Sequence, residues 1–257
     1  LSNEQYIKDN EHAWDKRAEN NDQWSIPVSE EEIAEAKKGN WSIFVTPVKR
    51  VPRNWFPEEM KGKKILCLAG GGGQQGPVLA ATGADVTVFD NSTGQLGKDQ
   101  MAAKRDGLTI HTVQGNMQDL SMFGDESFDV IVHPWSNNYV NDILPVWREC
   151  GRVIKKGGFL ISGFGTPLEY IFDPAKLEKG ELELKYSIPY ADIDHLDDPK
   201  VKEIAEAEGY SWGHPIEEQI QGQIDAGFVI CGFYEDRGCF ALDNYINTSM
   251  ATKAVKV

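Results

Sequence analysis

The 257-residue chain has no apolar run approaching the ~20 residues a bilayer crossing needs, so a membrane span is excluded. The opening residues also lack the charged-then-apolar layout of a secretion signal. Cysteine is scarce: Cys67, Cys150, Cys231 and Cys239 form no C-x-x-C pair. The first three fall in apolar strand or helix stretches, where a thiol is expected to act as a small buried hydrophobe. That usage predicts a reduced, cytoplasmic setting. Basic residues are outnumbered, 26 Lys and Arg against 40 Asp and Glu, for a net charge of −14. Such a balance argues against nucleic acid as a partner, since phosphate recognition demands a clustered basic surface. The short basic clusters at 61–64 and 155–156 flank predicted strands and read as solvated strand ends. Histidine is equally sparse. His111 lies within a strand and reads as structural, and His12, His195 and His214 show no metal-ligand spacing, so no metal is predicted. The acidic stretch DIDHLDD, 192–198, lacks the spacing and glycine of a calcium loop and is expected to be a solvated loop.

What is present suits one enlarged α/β domain spanning 1–257, with 40% hydrophobic and 26% charged residues and neither a repeat nor a low-complexity linker. Residues 1–60 differ in texture. Tyr6, Ile7, Ala13 and Trp14 recur near helical spacing and predict a first helix. Ser29 and Glu32 stand in capping-box positions of a second helix that ends on Gly39. The stretch 40–57 carries Pro47, Pro52 and Pro57, cannot be a regular helix, and is expected to wrap over the core. From Lys63 onward strands alternate with helices: KILCLA, DVTVF, TIHTV, FDVIV and FLIS are five predicted strands. Ile143, Leu144, Trp147, Cys150 and Ile154 form one helical stripe, with Pro145 in its first turn and Gly157 and Gly158 ending it.

The alternation predicts a doubly wound, Rossmann-like, mostly parallel seven-stranded sheet with helices on both faces. After the fifth strand, residues 165–200 break the rhythm, and alternating Leu182, Leu184, Tyr186 and Ile188 suggest an inserted strand or hairpin. Residues 215–228 read as a helix leading into the strand FVICGFYED, and TSMATKAVKV is a candidate seventh strand, antiparallel and at the edge.

The stretch LCLAGGGGQQGPVLAATGADVTVFD, 66–90, carries the chemistry. Gly71, Gly73 and Gly76 satisfy G-x-G-x-x-G, and Asp90 ends the next strand 19 residues after the first of them. Glycines let a backbone turn sharply and approach a ligand, and a strand-terminal carboxylate accepts ribose hydroxyls. This geometry serves a nicotinamide dinucleotide or S-adenosylmethionine (SAM) equally well, which leaves an NAD-dependent oxidoreductase open.

The ordered stretches VTVFDNS, VQGNMQDLSMF, ESFDVIVHPWS and RECGRVIKKGGFLIS, with the glycine loop, resemble the motifs of class I SAM-dependent methyltransferases over roughly 63–163. The resemblance implies SAM as cofactor. It places Ala69, Gly70, Gly71, Gly72 and Gly73 under the methionine part and Asp90 on the ribose, flanked by Asn91 and Ser92. Asn116 stands where the family usually has an acid reading the adenine amino group, Met117 lies against the adenine ring, and His133 lies beneath the transferring methyl. Two positions depart from the pattern. Cys67 replaces an acid commonly found two positions before the first loop glycine, and Ala69 replaces that glycine, which keeps a noncatalytic SAM-binding protein in view.

The stretch HPWSNNYV, 133–140, leaves the fourth strand at the crevice. Its place corresponds to the [DN]PP[YFW] motif of amino-methylating nucleic-acid enzymes, but His133 and Ser136 break that pattern. Trp135, Ser136 and Tyr139 are candidate acceptor contacts, and His133 is a candidate general base. Trp14, Trp24, Trp41 and Trp55 make residues 1–60 an aromatic extension, which with 165–200 suggests an enclosed site for a small-molecule acceptor. The expected organisation is a cap at 1–60, a SAM core at 63–163, an acceptor-site cover at 165–200, and the rest of the sheet at 201–257.

Overall fold

The computed structural model describes residues 2–238 and 241–257; Cys239 lies outside the described residues. The predicted strands form as β1 (Lys64–Leu68), β2 (Asp85–Asp90), β3 (Ile110–Gln114), β4 (Phe128–His133) and β5 (Ile154–Gly165). Later come the two-residue strands β6 (Tyr190–Ala191) and β7 (Trp212–Gly213), then β8 (Phe228–Asp236) and β9 (Ser249–Lys256). Seven of them make one sheet in the order β3-β2-β1-β4-β5-β9-β8. Ile65, Leu66, Cys67 and Leu68 of the central β1 are all fully buried, which is why this strand reads as an unbroken apolar run. β1 through β5 pair in parallel, whereas β9 runs antiparallel to both β5 and β8. The antiparallel strand is therefore internal rather than at the edge. β8 is the edge, and it leaves Val229, Phe233 and the Cys231 thiol exposed, so Cys231 is not the buried hydrophobe expected of it.

The helices are α1 (Asn3–Glu19), α2 (Glu30–Lys37), α3 (Gln75–Ala81), α4 (Thr93–Asp106), α5 (Leu144–Val153), α6 (Pro174–Leu177), α7 (Pro199–Glu208) and α8 (Ile216–Asp225). Ser29 and Glu32 make the full capping box at the start of α2. Successive β-residues face opposite sides, so the sheet has two cores. Ile65, Cys67, Val86 and Val88 pack with Ile33, Val78, Leu79 and Leu96 on the α2–α3–α4 side. Leu66, Leu68, Phe89 and Ile131 pack with Val146, Trp147 and Cys150 of α5 on the other.

Three local expectations are corrected. α5 stops at Val153 because the chain enters β5 at Ile154, and Gly157 and Gly158 lie within that strand, beside its register shift against β4. The stretch 181–190 forms no regular strand of its own: it makes one antiparallel bridge, Leu184 with Phe172, and enters the short strand β6 at Tyr190. Leu182 and Leu184 are exposed, and the segment is held to 171–173 by backbone bonds, Asp173 N to Glu183 O and Lys185 N to Ile171 O, both 2.8 Å, and by Lys185 Nζ, which meets Asp173 Oδ2 at 2.8 Å and Asp198 Oδ2 at 2.6 Å. DIDHLDD is not a solvated loop either. Asp192 is buried and accepts the Ser211 amide, while Asp198 caps α7, a helix the sequence reading passed over.

Candidate active site

The carboxyl ends of β1 and β4 meet where the strand order reverses, the crevice in which doubly wound sheets bind ligands. Ala69 leaves β1 with φ +47°, so it takes up the left-handed backbone that a glycine would supply, and its amide donates to Phe89 O at 2.7 Å. The turn therefore survives the departure at this position. Gly71 cannot carry a side chain, because a Cβ there would lie 2.7 Å from Gln95 Cβ and 3.1 Å from Asp90 Oδ2. Asp90 sits at the end of β2 as expected. Its Oδ2 accepts the Gly71 amide at 3.0 Å and its Oδ1 accepts the Ser92 amide at 2.9 Å. Burial raises its carboxyl above the ordinary range, the amides of Ser92, Gly71 and Asn91 draw it back, and the like charge of Asp15 raises it further.

Asn91 and Ser92 flank Asp90, but their side chains serve the N-terminal segment. Asn91 Nδ2 donates to Ile7 O at 2.9 Å; Ser92 Oγ caps α4 and donates to Asp15 Oδ1 at 2.6 Å. Asn116 Oδ1 accepts the Gln118 amide at 3.0 Å, and Met117 is buried beside Phe89 in the second core. α1 crosses all these loops: Glu11 meets Gln114, Tyr6 meets Gln118 and Asn141, and Asn10 meets Tyr139 O. The segment after α1 closes on the glycine loop, where Val28 donates to Gly73 O at 2.9 Å. Gln95 Nε2 ties both segments to α4 through Trp14 O and Ser25 Oγ.

His133 ends β4 with no exposed surface and its ring edge-on to Trp147. Its Nδ1 lies 2.8 Å from Leu68 O and its Nε2 faces Asn137 Oδ1; both oxygens only accept, so the two contacts as they stand call for a proton on each ring nitrogen. Burial pushes this imidazole down, toward the neutral form. Asn137 continues to Gln219 at 2.7 Å. A neutral ring donates to only one of the two oxygens, Leu68 O or Asn137 Oδ1, and leaves the other nitrogen unprotonated. Ser136 Oγ turns back onto Pro134 O, and the Tyr139 ring stands edge-on to Trp14, its hydroxyl pushed up to about 12 by burial.

Between β4 and the 165–171 segment lies a narrow cavity with free space of ≈ 10 Å³, about one water. Trp135, Asn137, Asn138, Glu169, Tyr170 and Trp212 contribute to its wall. Pro134 connects it to the loop, since a Cβ on Gly70 would lie 3.2 Å from Pro134 Cγ. Glu169 and Asp99 escaped the sequence reading. Glu169 carried no motif. Asp99 left one signal, the only carboxyl on the buried face of α4, which is otherwise Gln95, Leu96, Ala102 and Ala103.

The sheet with its internal antiparallel strand, the glycine loop and the strand-terminal carboxylate together define a methyltransferase. Residues 66–162 match the family model of a methyltransferase domain. The chain is 58% identical over 252 residues to the uncharacterized methyltransferase YbaJ of Bacillus subtilis (strain 168), covering 98% of each. It is 32% identical over 123 residues to a ubiquinone biosynthesis O-methyltransferase of Pseudomonas syringae pv. tomato, spanning 46% of this chain and 53% of that protein. Its fold matches the crystal structure of a SAM-dependent methyltransferase from Mesorhizobium loti, with a TM-score of 0.61 at 18% identity over 79% of this chain and 95% of that one. This chain belongs to the class I SAM-dependent methyltransferases, and its cofactor is SAM. The crevice suits that cofactor: no side chain projects from Gly70–Gly73, and the Asp90 carboxylate keeps lone pairs beyond those its two amides use.

Proposed function

We propose that the chain transfers the methyl group of SAM to a small organic acceptor that binds beside Trp135, where the cavity, about one water in size, has to widen to admit it. The position of that cavity carries the reading, because Pro134 touches the glycine loop and its neighbour Trp135 lines the cavity wall. SAM supplies a methyl already activated on a sulfonium, so the protein has to align an acceptor atom and exclude water. Ala69–Gly73 and Asp90 hold the cofactor, Asn116 and Met117 border its adenine, and Asn91 and Ser92 fasten α1 over it. Trp135, Ser136 and Tyr139 shape the acceptor side. His133 is a positioning residue in this reading: it links the end of β1 to Asn137 on the cavity wall. Residues 1–60 serve as the cap and 165–200 as the cover of the acceptor site, around a core at 63–163 completed by 201–257. The net charge of −14 supports a small acceptor over nucleic acid.

The test incubates the protein with SAM carrying an isotopically labelled methyl and a cell extract, followed by fractionation by size. The label is expected in a small-molecule product. Label confined to protein or nucleic acid would overturn this reading of the acceptor.

A further inference from the structure

Beneath the glycine loop, α4 carries a carboxyl where a core-facing helix would carry a hydrocarbon. Asp99 has no exposed surface. Its Oδ2 accepts the Gly73 amide at 3.0 Å, and its Oδ1 has no hydrogen-bond partner among the described residues. The ionisable group acting on it most strongly is Asp90, of the same sign, and burial with that repulsion pushes its carboxyl up to about 8. A carboxyl kept in such a place is costly, and a position that only filled space would be better served by an apolar side chain.

The surroundings are shaped to let it reach the loop. A Cβ on Gly76 would lie 2.7 Å from Asp99 Oδ1 and 2.7 Å from Val88 Cγ2, so only glycine lets α3 pass this close. Gly72 and Gly73 adopt φ +109° and +76°, and the bond from Asp99 fixes the amide of the second. Cys67 of β1 packs in the core on this same side of the sheet, with Val88 and Leu96, and its fully buried thiol is pushed up by burial and by the Asp99 charge. Position 67 is where related methyltransferases commonly carry an acid.

We infer that Asp99 is the positioning acid of the SAM loop, reaching the Gly73 amide from α4 in place of the acid that β1 lacks at Cys67. Holding that amide from below sets the peptide plane between Gly72 and Gly73, and with it which backbone groups the loop turns toward the cofactor. The carboxyl acts through the loop and is not itself catalytic.

Calorimetric affinity for SAM tests this on the full chain, independently of any acceptor. Asp99→Asn keeps an oxygen for the Gly73 amide and should bind SAM within about threefold of wild type. Asp99→Leu fills the same space without an acceptor and should bind at least tenfold more weakly. Adding Cys67→Asp to Asp99→Leu should recover most of that loss, a rescue that a mere packing role does not produce. Where Asp99→Leu does not fold, Asp99→Ala removes the acceptor with a small side chain and carries the same two expectations. Wild-type SAM affinity in folded Asp99→Leu or Asp99→Ala protein would overturn the positioning role. Failure of Cys67→Asp to restore binding in a folded double variant would overturn the substitution of one acid for the other.

Discussion

Asp90 Oδ2 and the amide of Gly71 share a 3.0 Å hydrogen bond that joins the end of β2 to the loop after β1. Losing this carboxylate therefore affects cofactor binding twice, by removing an acceptor and by loosening the loop. Hydrogen bonds to a charged group contribute roughly 1.5–3 kcal/mol each. Asp90→Ala should weaken SAM binding by more than about tenfold, and Asp90→Asn, which retains one oxygen, by less. Calorimetry on folded protein decides this; unchanged affinity in Asp90→Ala would remove the residue from the site.

Ala69 and Gly76 both sit where glycine is the better fit, so Ala69→Gly and Gly76→Ala should have opposite effects. Ala69 holds φ +47°, a conformation that costs an L-residue about 1–2 kcal/mol, so Ala69→Gly should leave stability equal or raised despite the greater entropy of an unfolded glycine. Gly76→Ala forces a methyl against Asp99 and Val88 and should cost about 1–3 kcal/mol, with weaker SAM binding. Denaturant midpoints measure both. A destabilised Ala69→Gly, or a Gly76→Ala of wild-type stability, would contradict the loop geometry.

Legibility followed the scale of the physical signal. β1, buried on both faces, and the Gly71-to-Asp90 spacing were readable because apolar runs and glycine turns are written locally in the chain. The 181–190 alternation was only partly informative: it becomes a single antiparallel bridge at Leu184, with Leu182 and Leu184 facing solvent, and Lys185 adds ion pairs to Asp173 and Asp198 that no local pattern shows. Asp99 was hidden for a related reason. Its partner Gly73 is 26 residues away, and nothing in a single helix announces a hydrogen bond to a distant loop. The commitment of Asn91 and Ser92 to α1 was likewise invisible, since it depends on Ile7 and Asp15 more than seventy positions earlier.

Stability should fall as pH rises from about 4 to 8. Asp99 and Glu169 are both pushed up to about 8, chiefly by burial, and Asp192 to about 6. Across that window the folded chain holds protons that the unfolded chain has released, so the slope of stability against pH is negative. Each such group contributes at most about 1.4 kcal/mol per pH unit. Asp99→Asn and Glu169→Gln should each flatten the slope, seen as urea midpoints at pH 5, 6.5 and 8 that lie closer together than in wild type. An unchanged slope in both variants would mean that these carboxyls titrate normally.

His133 decides whether the reaction uses a base from the end of β4. With Nδ1 on Leu68 O and Nε2 on Asn137 Oδ1, both ring nitrogens face protein oxygens, and one must leave its oxygen to take a proton from an acceptor. A positioned base contributes about 10²–10⁴ in rate and imprints its own ionisation on the pH profile. A positioning residue does neither. His133→Ala should therefore lower stability by a few kcal/mol, through a cavity and an orphaned Leu68 carbonyl, and raise the acceptor KM by displacing Asn137. The pH dependence of kcat should keep its wild-type shape. Should kcat instead fall by more than about 10² at saturating acceptor, with loss of an ionisation near neutrality, the imidazole would be taking the proton and Asn137 would have to release it during turnover.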